Sequence, residues 1–273
     1  MSKGPSFVIA GGGTAGHVLP ALAVARALVE RGHDPSDVRF VGSRRGLEAH
    51  LVPAAGFPIT LLPGRGIVRR VGWPAAIAAA GIAAASARAV WLLGRHRPSI
   101  VLSVGGYAAV PCAVAALVLG IPLVVAEANA VPGATNRFSA RWAKAAAVAF
   151  DGTGLPRSVL TGTPVRDEVL EVSRTPDAVT AARRRLGIPE GRRVIAVTGG
   201  SLGARRVNEA VLDLARRWSE RGDVAIHHAV GTRDWPELSG RLPAPPAGGL
   251  AYQTVEYEDR VPLLLAAADV WVG

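Results

Sequence analysis

Gly11, Gly13 and Gly16, within GGGTAGH at residues 11–17, have the spacing G-x-G-x-x-G. Glycines so spaced between a strand and a helix let backbone N–H groups and the helix N-terminus approach a diphosphate. His17 follows at once. A histidine at a helix start is more often structural than catalytic, yet a neutral imidazole beside a substrate hydroxyl is what a general base requires. A second loop, GGSLGA at 199–204, sets Ser201 and the N–H groups of residues 200–203 at another strand-to-helix turn, suited to a second phosphate group. No D-x-D pair occurs, so a divalent metal at a leaving diphosphate is not expected. Cys112 is the only cysteine, which excludes an intrachain disulfide and a multi-cysteine zinc site. A dinucleotide enzyme also places an acid at the end of the second strand. Ser43, Arg44 and Arg45 stand there, which disfavours NAD and leaves NADP open.

These loops need strands before them and helices after them, and the sequence supplies both. SFVIA (6–10) reads as a strand, residues 18–32 as a helix closing on Gly32, and VRFVG (38–42) as the next strand. Further strands are expected at 59–62, 100–104, 122–126 and 145–149, with helices between them. The pattern then restarts: RVIAVT (193–198) is a strand, the second glycine loop follows, and a helix runs over 205–222. Two such starts about 190 residues apart predict two α/β halves with parallel sheets around a common cleft. The expected domains are 1–163 and 164–273, with 164–192 as the connection and the entry to the second half. The second half has a further strand near 224–230, a weaker one near 250–255 and a helix at 259–267, then stops at ADVWVG inside an expected strand. It reads as an incomplete domain of a fragment.

The length of 273 residues fits two domains, and 49% hydrophobic with 19% charged residues excludes a disordered chain. The excess of positive charge is confined to one half, with net +10 over residues 1–163 and zero over 164–273. Nucleic acid, anionic lipid and a phosphorylated substrate would each suit that half. Residues 98–126 carry no charge, but Pro98, Pro111, Pro122 and the Gly105-Gly106 pair divide them into a strand, a turn, a helix from Cys112 and a second strand. Buried parallel strands explain that run without a membrane span. The first residues hold no apolar stretch of signal-peptide length, so a cytoplasmic protein is expected. Over residues 65–97, Arg69, Arg70, Arg88 and Arg95 alternate with Trp73, Ile77, Ile82 and Trp91, a mixture suited to an anionic membrane surface.

GGGTAGH at 11–17, SVGGYAAVP at 103–111, EANAVPG at 127–133, TGTPVR at 161–166 and GGSLGARRVN at 199–208 stand in one order. Together they resemble the MurG family of peptidoglycan N-acetylglucosamine transferases, in glycosyltransferase family 28. The resemblance spans essentially the whole chain. It implies a GT-B fold of two Rossmann-like domains and inverting transfer of N-acetylglucosamine from UDP-N-acetylglucosamine to the C4 hydroxyl of the N-acetylmuramoyl unit of lipid I, giving lipid II. By the same resemblance Thr14, Ala15, Gly16, Asn129, Arg166 and Ser201 meet the donor. Gly13, Gly105, Gly106 and Tyr107 meet the acceptor, and His17 is the catalytic candidate. The implied partners are the two substrates and an anionic membrane surface at the cytoplasmic face, with neither nucleic acid nor a cofactor. The sequence departs from the family at Ala126 and Ala128, where His-Glu-Gln-Asn is common, at Leu202, where Gln is common, and in lacking the segment that follows ADVWVG and grips the donor. A lipid-diphosphate-binding module without catalysis and an NADP-dependent reductase are the competing expectations.

Overall fold

In the computed structural model, residues 7–63 and 73–273 are described, with the side chains of 73–79 excepted. They form two compact units, Met1–Arg166 and Asp167–Gly273. Unit 1 runs β1 (Phe7–Gly11), α1 (Ala15–Glu30), β2 (Val38–Ser43), α2 (Glu48–Ala54), β3 (Ile59–Leu62), α3 (Trp73–His96), β4 (Ile100–Gly105), α4 (Ala109–Leu119), β5 (Leu123–Glu127), α5 (Ala134–Ser139), β6 (Ala145–Val148) and β7 (Ser158–Leu160). Its sheet has the order β3-β2-β1-β4-β5-β6-β7, with every pairing parallel.

Alternation along the strands builds two cores. Ile9 of β1 packs with Val18, Leu22 and Ala25 of α1, while its neighbours Val8 and Ala10 face Cys112, Ala113 and Ala116 of α4. Burial pushes the Cys112 thiol up to about 12, so it serves as a small apolar side chain. The apolar run at 98–126 is β4, α4 and β5. No helix among the described residues is long and apolar enough to cross a membrane. α4 starts at Ala109, earlier than the expected Cys112. Pro111 lies in its first turn, where a missing N–H leaves no helical bond unmade.

Strand order reverses between β1 and β4, because the chain winds out to β3 and then returns to the other side of β1. In open parallel sheets the carboxyl ends at such a reversal form the ligand crevice. The first glycine loop follows β1 and Gly105-Gly106 close β4, so both lie at that point.

Unit 2 comprises α6 (Asp167–Leu170), α7 (Pro176–Arg185), β8 (Arg193–Thr198), α8 (Arg205–Arg217), β9 (Val224–Ala229), α9 (Trp235–Leu238), β10 (Ala251–Val255), α10 (Val261–Ala267) and β11 (Val270–Val272). Its parallel sheet has the order β10-β9-β8-β11, and the second glycine loop leaves β8 at the reversal. The entry to this unit, within residues 164–192, packs into its core. Ala182 of α7, with Leu186 and Ile188, forms a core with Leu264 and Ala267 of α10. The start of α7 is encoded locally: Thr175 Oγ1 accepts the Ala178 N–H at 3.4 Å, Pro176 follows, and Asp177 sits in the first turn. α8 ends at Arg217 instead of Gly222, since the chain turns at Trp218, whose ring is covered by the Arg221 guanidinium at 5.1 Å.

Of the basic and aromatic stretch at 65–97, Arg69 and Arg70 and the side chains of Trp73 and Ile77 lie outside the described residues. Ile82 is half-buried, Arg88 and Arg95 are exposed, and Trp91 is 62% exposed. On α4, which packs against α3, Leu117 and Val118 are also exposed.

Candidate functional site

The first glycine loop is held by β4 on one side and by a carboxylate on the other. Gly11 has φ +139°, and a Cβ there would stand 2.2 Å from the Gly105 carbonyl oxygen. Likewise a Cβ on Gly106 would meet the Gly12 carbonyl oxygen at 2.3 Å. The Gly12 N–H donates to the Gly105 carbonyl at 3.1 Å, so the two turns are joined backbone to backbone. The Gly13 N–H donates to Glu48 Oε2 at 2.7 Å, and Glu48 Oε1 accepts from the N–H and hydroxyl of Ser43 at 2.8 and 2.9 Å. Glu48 is 2% exposed. Gly13 itself is exposed, and nothing lies within 4 Å of where its Cβ would be.

Thr14 is extended at the N-cap of α1, so the helix begins at Ala15, three residues earlier than expected. Its Oγ1 makes no capping bond and lies 3.2 Å from His17 Nδ1. With Nδ1–H donating to Thr14, His17 Nε2 is left as an acceptor. A Cβ on Gly105 would lie 3.2 Å from that Nε2 and 3.5 Å from Asn136 Nδ2, so His17 and Asn136 both border the Gly105 backbone. Beside them a cavity of about 280 Å³ is walled by Pro20, Val24, Leu102, Val104, Ala126 and Ala147, with His17 and Glu127 on its lining.

Glu127, 4% exposed at the end of β5, organises the loop that carries Asn129. Its Oε1 accepts from the Asn129 N–H and Nδ2 at 2.9 and 2.7 Å, and its Oε2 from the Gly133 N–H at 2.9 Å and Asn136 Nδ2 at 3.0 Å. Burial alone would raise its pKa, but the hydrogen bonds from Gly133, Asn129 and Asn136 outweigh that and hold the carboxyl below the usual range. Because the Asn129 amide nitrogen faces Glu127, its Oδ1 is turned away from the carboxylate. The Tyr107 hydroxyl donates to the Pro63 carbonyl at 3.1 Å, with the Gly81 carbonyl at 3.4 Å, and burial raises its pKa. Arg166, half-buried, is the last residue of unit 1.

Ser201 belongs to unit 2, where the second loop is braced by residues 230–234. The Thr232 N–H donates to the Ser201 carbonyl at 3.1 Å, the Arg233 N–H to the Leu202 carbonyl at 3.3 Å, and Arg233 Nη2 to the Gly203 carbonyl at 2.7 Å. Behind the loop, buried Asn208 donates through Nδ2 to the Val230 carbonyl and to Asp234 Oδ2 at 2.8 and 2.9 Å. Its Oδ1 therefore accepts from His228 Nε2 at 3.0 Å, which leaves His228 Nδ1 to accept the Tyr252 hydroxyl at 2.8 Å. Burial, then the neighbouring His227, lower the pKa of His228 to about 4, so this chain of bonds runs through a neutral imidazole at neutral pH. Among the described residues, no group of three or more His, Cys, Asp or Glu could hold a metal ion.

Residues 7–148 match the glycosyltransferase family 28 N-terminal domain, and residues 194–273 match the family 28 C-terminal domain. The chain belongs to glycosyltransferase family 28. Family 28 relatives named UDP-N-acetylglucosamine--N-acetylmuramyl-(pentapeptide) pyrophosphoryl-undecaprenol N-acetylglucosamine transferase include the protein of Clavibacter sepedonicus. It is 39% identical over 270 residues, which cover 98% of this chain and 70% of that protein. The Leifsonia xyli subsp. xyli protein of that name is 41% identical over 270 residues, covering 98% of this chain and 72% of its own. Among solved structures, Acinetobacter baumannii MurG superposes with a TM-score of 0.65 at 26% identity, over 98% of this chain and 72% of that one. Anabaena HepE in complex with UDP and glucose has a TM-score of 0.66 at 14% identity over 97% of this chain and 72% of that one, a likeness of fold alone. The fold is therefore GT-B-like, two α/β units with parallel sheets, and the reductase expectation is set aside by the family.

Of the residues singled out from the sequence, Gly13, Thr14, Ala15, Gly16, His17, Gly105, Gly106, Tyr107 and Asn129 fall within the N-terminal family domain. Ser201 falls in the C-terminal domain, and Arg166 between the two. Glu48, Glu127 with Asn136, and Asn208 are the structural partners that sequence reasoning did not assign. Gly42 at the end of the second strand, with Gly46 and Glu48 just after it, carried the only local signal of the first.

Proposed function

We propose that this chain carries out inverting transfer of N-acetylglucosamine from UDP-N-acetylglucosamine to the C4 hydroxyl of the N-acetylmuramoyl unit of lipid I. The observation that carries the reading is 39–41% identity, over 98% of the chain, to transferases of that name. The leaving UDP gains negative charge in the transition state, so fixed donors aimed at it are the largest catalytic need. In this reading Ser201 and the N–H groups of the turn before α8 supply such donors, and Arg166, the last residue of unit 1, supplies a cation to the donor. Thr14, Ala15 and Gly16 at the mouth of α1 and Asn129 complete the donor contacts in this reading. Asn129 can offer Oδ1 to a sugar N–H or hydroxyl, since its amide nitrogen is held by Glu127.

Gly13, Gly105, Gly106 and Tyr107 meet the acceptor. Tyr107 does so through its backbone or ring face, because its hydroxyl is engaged by Pro63. His17 Nε2 then takes the proton of the C4 hydroxyl as that oxygen attacks the anomeric carbon and the bond to UDP breaks. The first unit also docks on an anionic membrane surface through Trp91, Leu117 and Val118 with Arg88 and Arg95, without insertion of a span. Calorimetry with a soluble lipid I analogue tests the acceptor half of the reading. Binding weakened by free pyrophosphate but indifferent to mononucleotide is expected, and no binding to the analogue would refute it.

A further inference from the structure

We propose that Glu48 is a positioning residue: its buried carboxylate is a resident anion that fixes the first glycine loop, and with it the mouth of α1 that carries Thr14 and His17. The inference rests on the reading above, in which that loop meets the acceptor. Three donors converge on Glu48, namely the Gly13 N–H and both the N–H and hydroxyl of Ser43, all within 2.9 Å. Three glycines make room for it. A Cβ on Gly12, Gly42 or Gly46 would stand within 2.4 Å of a Glu48 side-chain atom. These come from three segments, the loop after β1, the end of β2 and the turn before α2, so the carboxylate ties all of them to the first residue of α2. The Leu47 N–H adds a long bond of 3.5 Å to the Gly13 carbonyl.

The chemistry differs from that of a loop folded around a ligand phosphate. Here one inward N–H, that of Gly13, is already given to a carboxylate of the chain, and that of Gly12 to the Gly105 carbonyl. A substrate diphosphate must then be met from the outer side of the loop, where Gly13 presents an exposed Cα and α1 begins. The acid lies near the end of β2, where a dinucleotide enzyme would turn one outward to a ribose. In this chain it is turned inward, and its work is to hold the loop.

Glu48→Gln is the direct test, because an amide has one acceptor atom where the site offers donors to two. Whichever way it turns, either Gly13 or Ser43 loses its acceptor. We expect amide hydrogen exchange over residues 11–17 to quicken at least tenfold and affinity for a soluble lipid I analogue to fall at least tenfold. The nitrogen shifts of the His17 ring should move, while the far-ultraviolet circular dichroism stays that of the parent. Parent-like acceptor affinity and exchange in Glu48→Gln would overturn the proposal. So would loss of acceptor binding together with the far-ultraviolet circular dichroism, which a general weakening of the fold would cause. In the unsubstituted protein, the N–H of Gly13, inward although the residue is exposed, should still exchange at least a hundredfold more slowly than an open loop amide, and free exchange there overturns the proposal even if Glu48→Gln does not fold. Failure of the unsubstituted protein to bind the analogue would instead count against the functional reading, and the Gly13 measurement would still decide the role of Glu48.

Discussion

Replacing Glu127 separates the loop that carries Asn129 from the sheet beneath it. The carboxylate accepts four hydrogen bonds at 2.7–3.0 Å. Three of the donors belong to exposed Asn129 and Gly133, which water can satisfy once the carboxylate is gone. The fourth is Asn136 Nδ2, in a side chain 2% exposed that keeps its bond to the Ala126 carbonyl at 2.9 Å. An amide hydrogen stranded inside costs about 1–3 kcal/mol, and losing charge-assisted bonds to rehydrated donors adds on the order of 1 kcal/mol. Glu127→Ala should therefore destabilise unit 1 by roughly 3 kcal/mol at pH 7, and Glu127→Gln by about half of that, since its one amide oxygen still serves two donors. The pH dependence carries a definite sign. The folded carboxyl is held below its usual value of 4.5, so its stabilisation is complete above that pH and is lost as pH falls through the folded pKa. Denaturant unfolding of wild type and Glu127→Gln, followed from pH 7 down to about pH 3, should show the difference shrinking below about pH 4.5. A difference that stays constant across that range would refute the assignment of the ionised carboxylate as the organiser of this loop.

His17→Ala should lower kcat for N-acetylglucosamine transfer by roughly 10² to 10⁴ with little change in substrate affinity, the usual range for a lost acid–base group. A kcat near that of wild type would remove His17 from the role of base. Co-sedimentation with vesicles should be stronger for anionic than neutral lipid and should weaken with salt. Trp91→Ala and Arg95→Ala should each reduce it, at about 1 kcal/mol for the basic side chain. Equal binding to both lipids at all salt concentrations would contradict a peripheral basic and apolar patch.

Much of the architecture was legible because its signals are local. Glycines after short β-rich runs marked both strand-to-helix starts, and alternation of such runs with helices indicated the parallel sheets. Boundaries moved where one residue changed the local rule, as with Pro111 inside the first turn of α4 and Trp218 at the end of α8. β7 escaped notice since all three of its residues are exposed and no apolar run marks it. α7 was readable from Thr175, Pro176 and Asp177, but it lies in a Pro-, Arg- and acid-rich stretch that reads only as the connection and entry to the second half. The site was legible only in its glycines, His17 and the family motifs. Glu48 lies 35 residues from the N–H it holds, and Asn208 lies 20 from the histidine it orders, so their roles exist only once strands bring the segments together.

Transfer itself is the most direct measure of the central claim. A protein carrying this sequence, given UDP-N-acetylglucosamine labelled in the sugar and a soluble lipid I analogue, should release UDP and yield one product. That product should have N-acetylglucosamine β-linked to C4 of the muramoyl sugar, as inversion of an α-linked donor requires. Fold alone does not fix the reaction. Epimerised or hydrolysed donor with no label on the muramoyl analogue, or a product of retained configuration, would contradict the account.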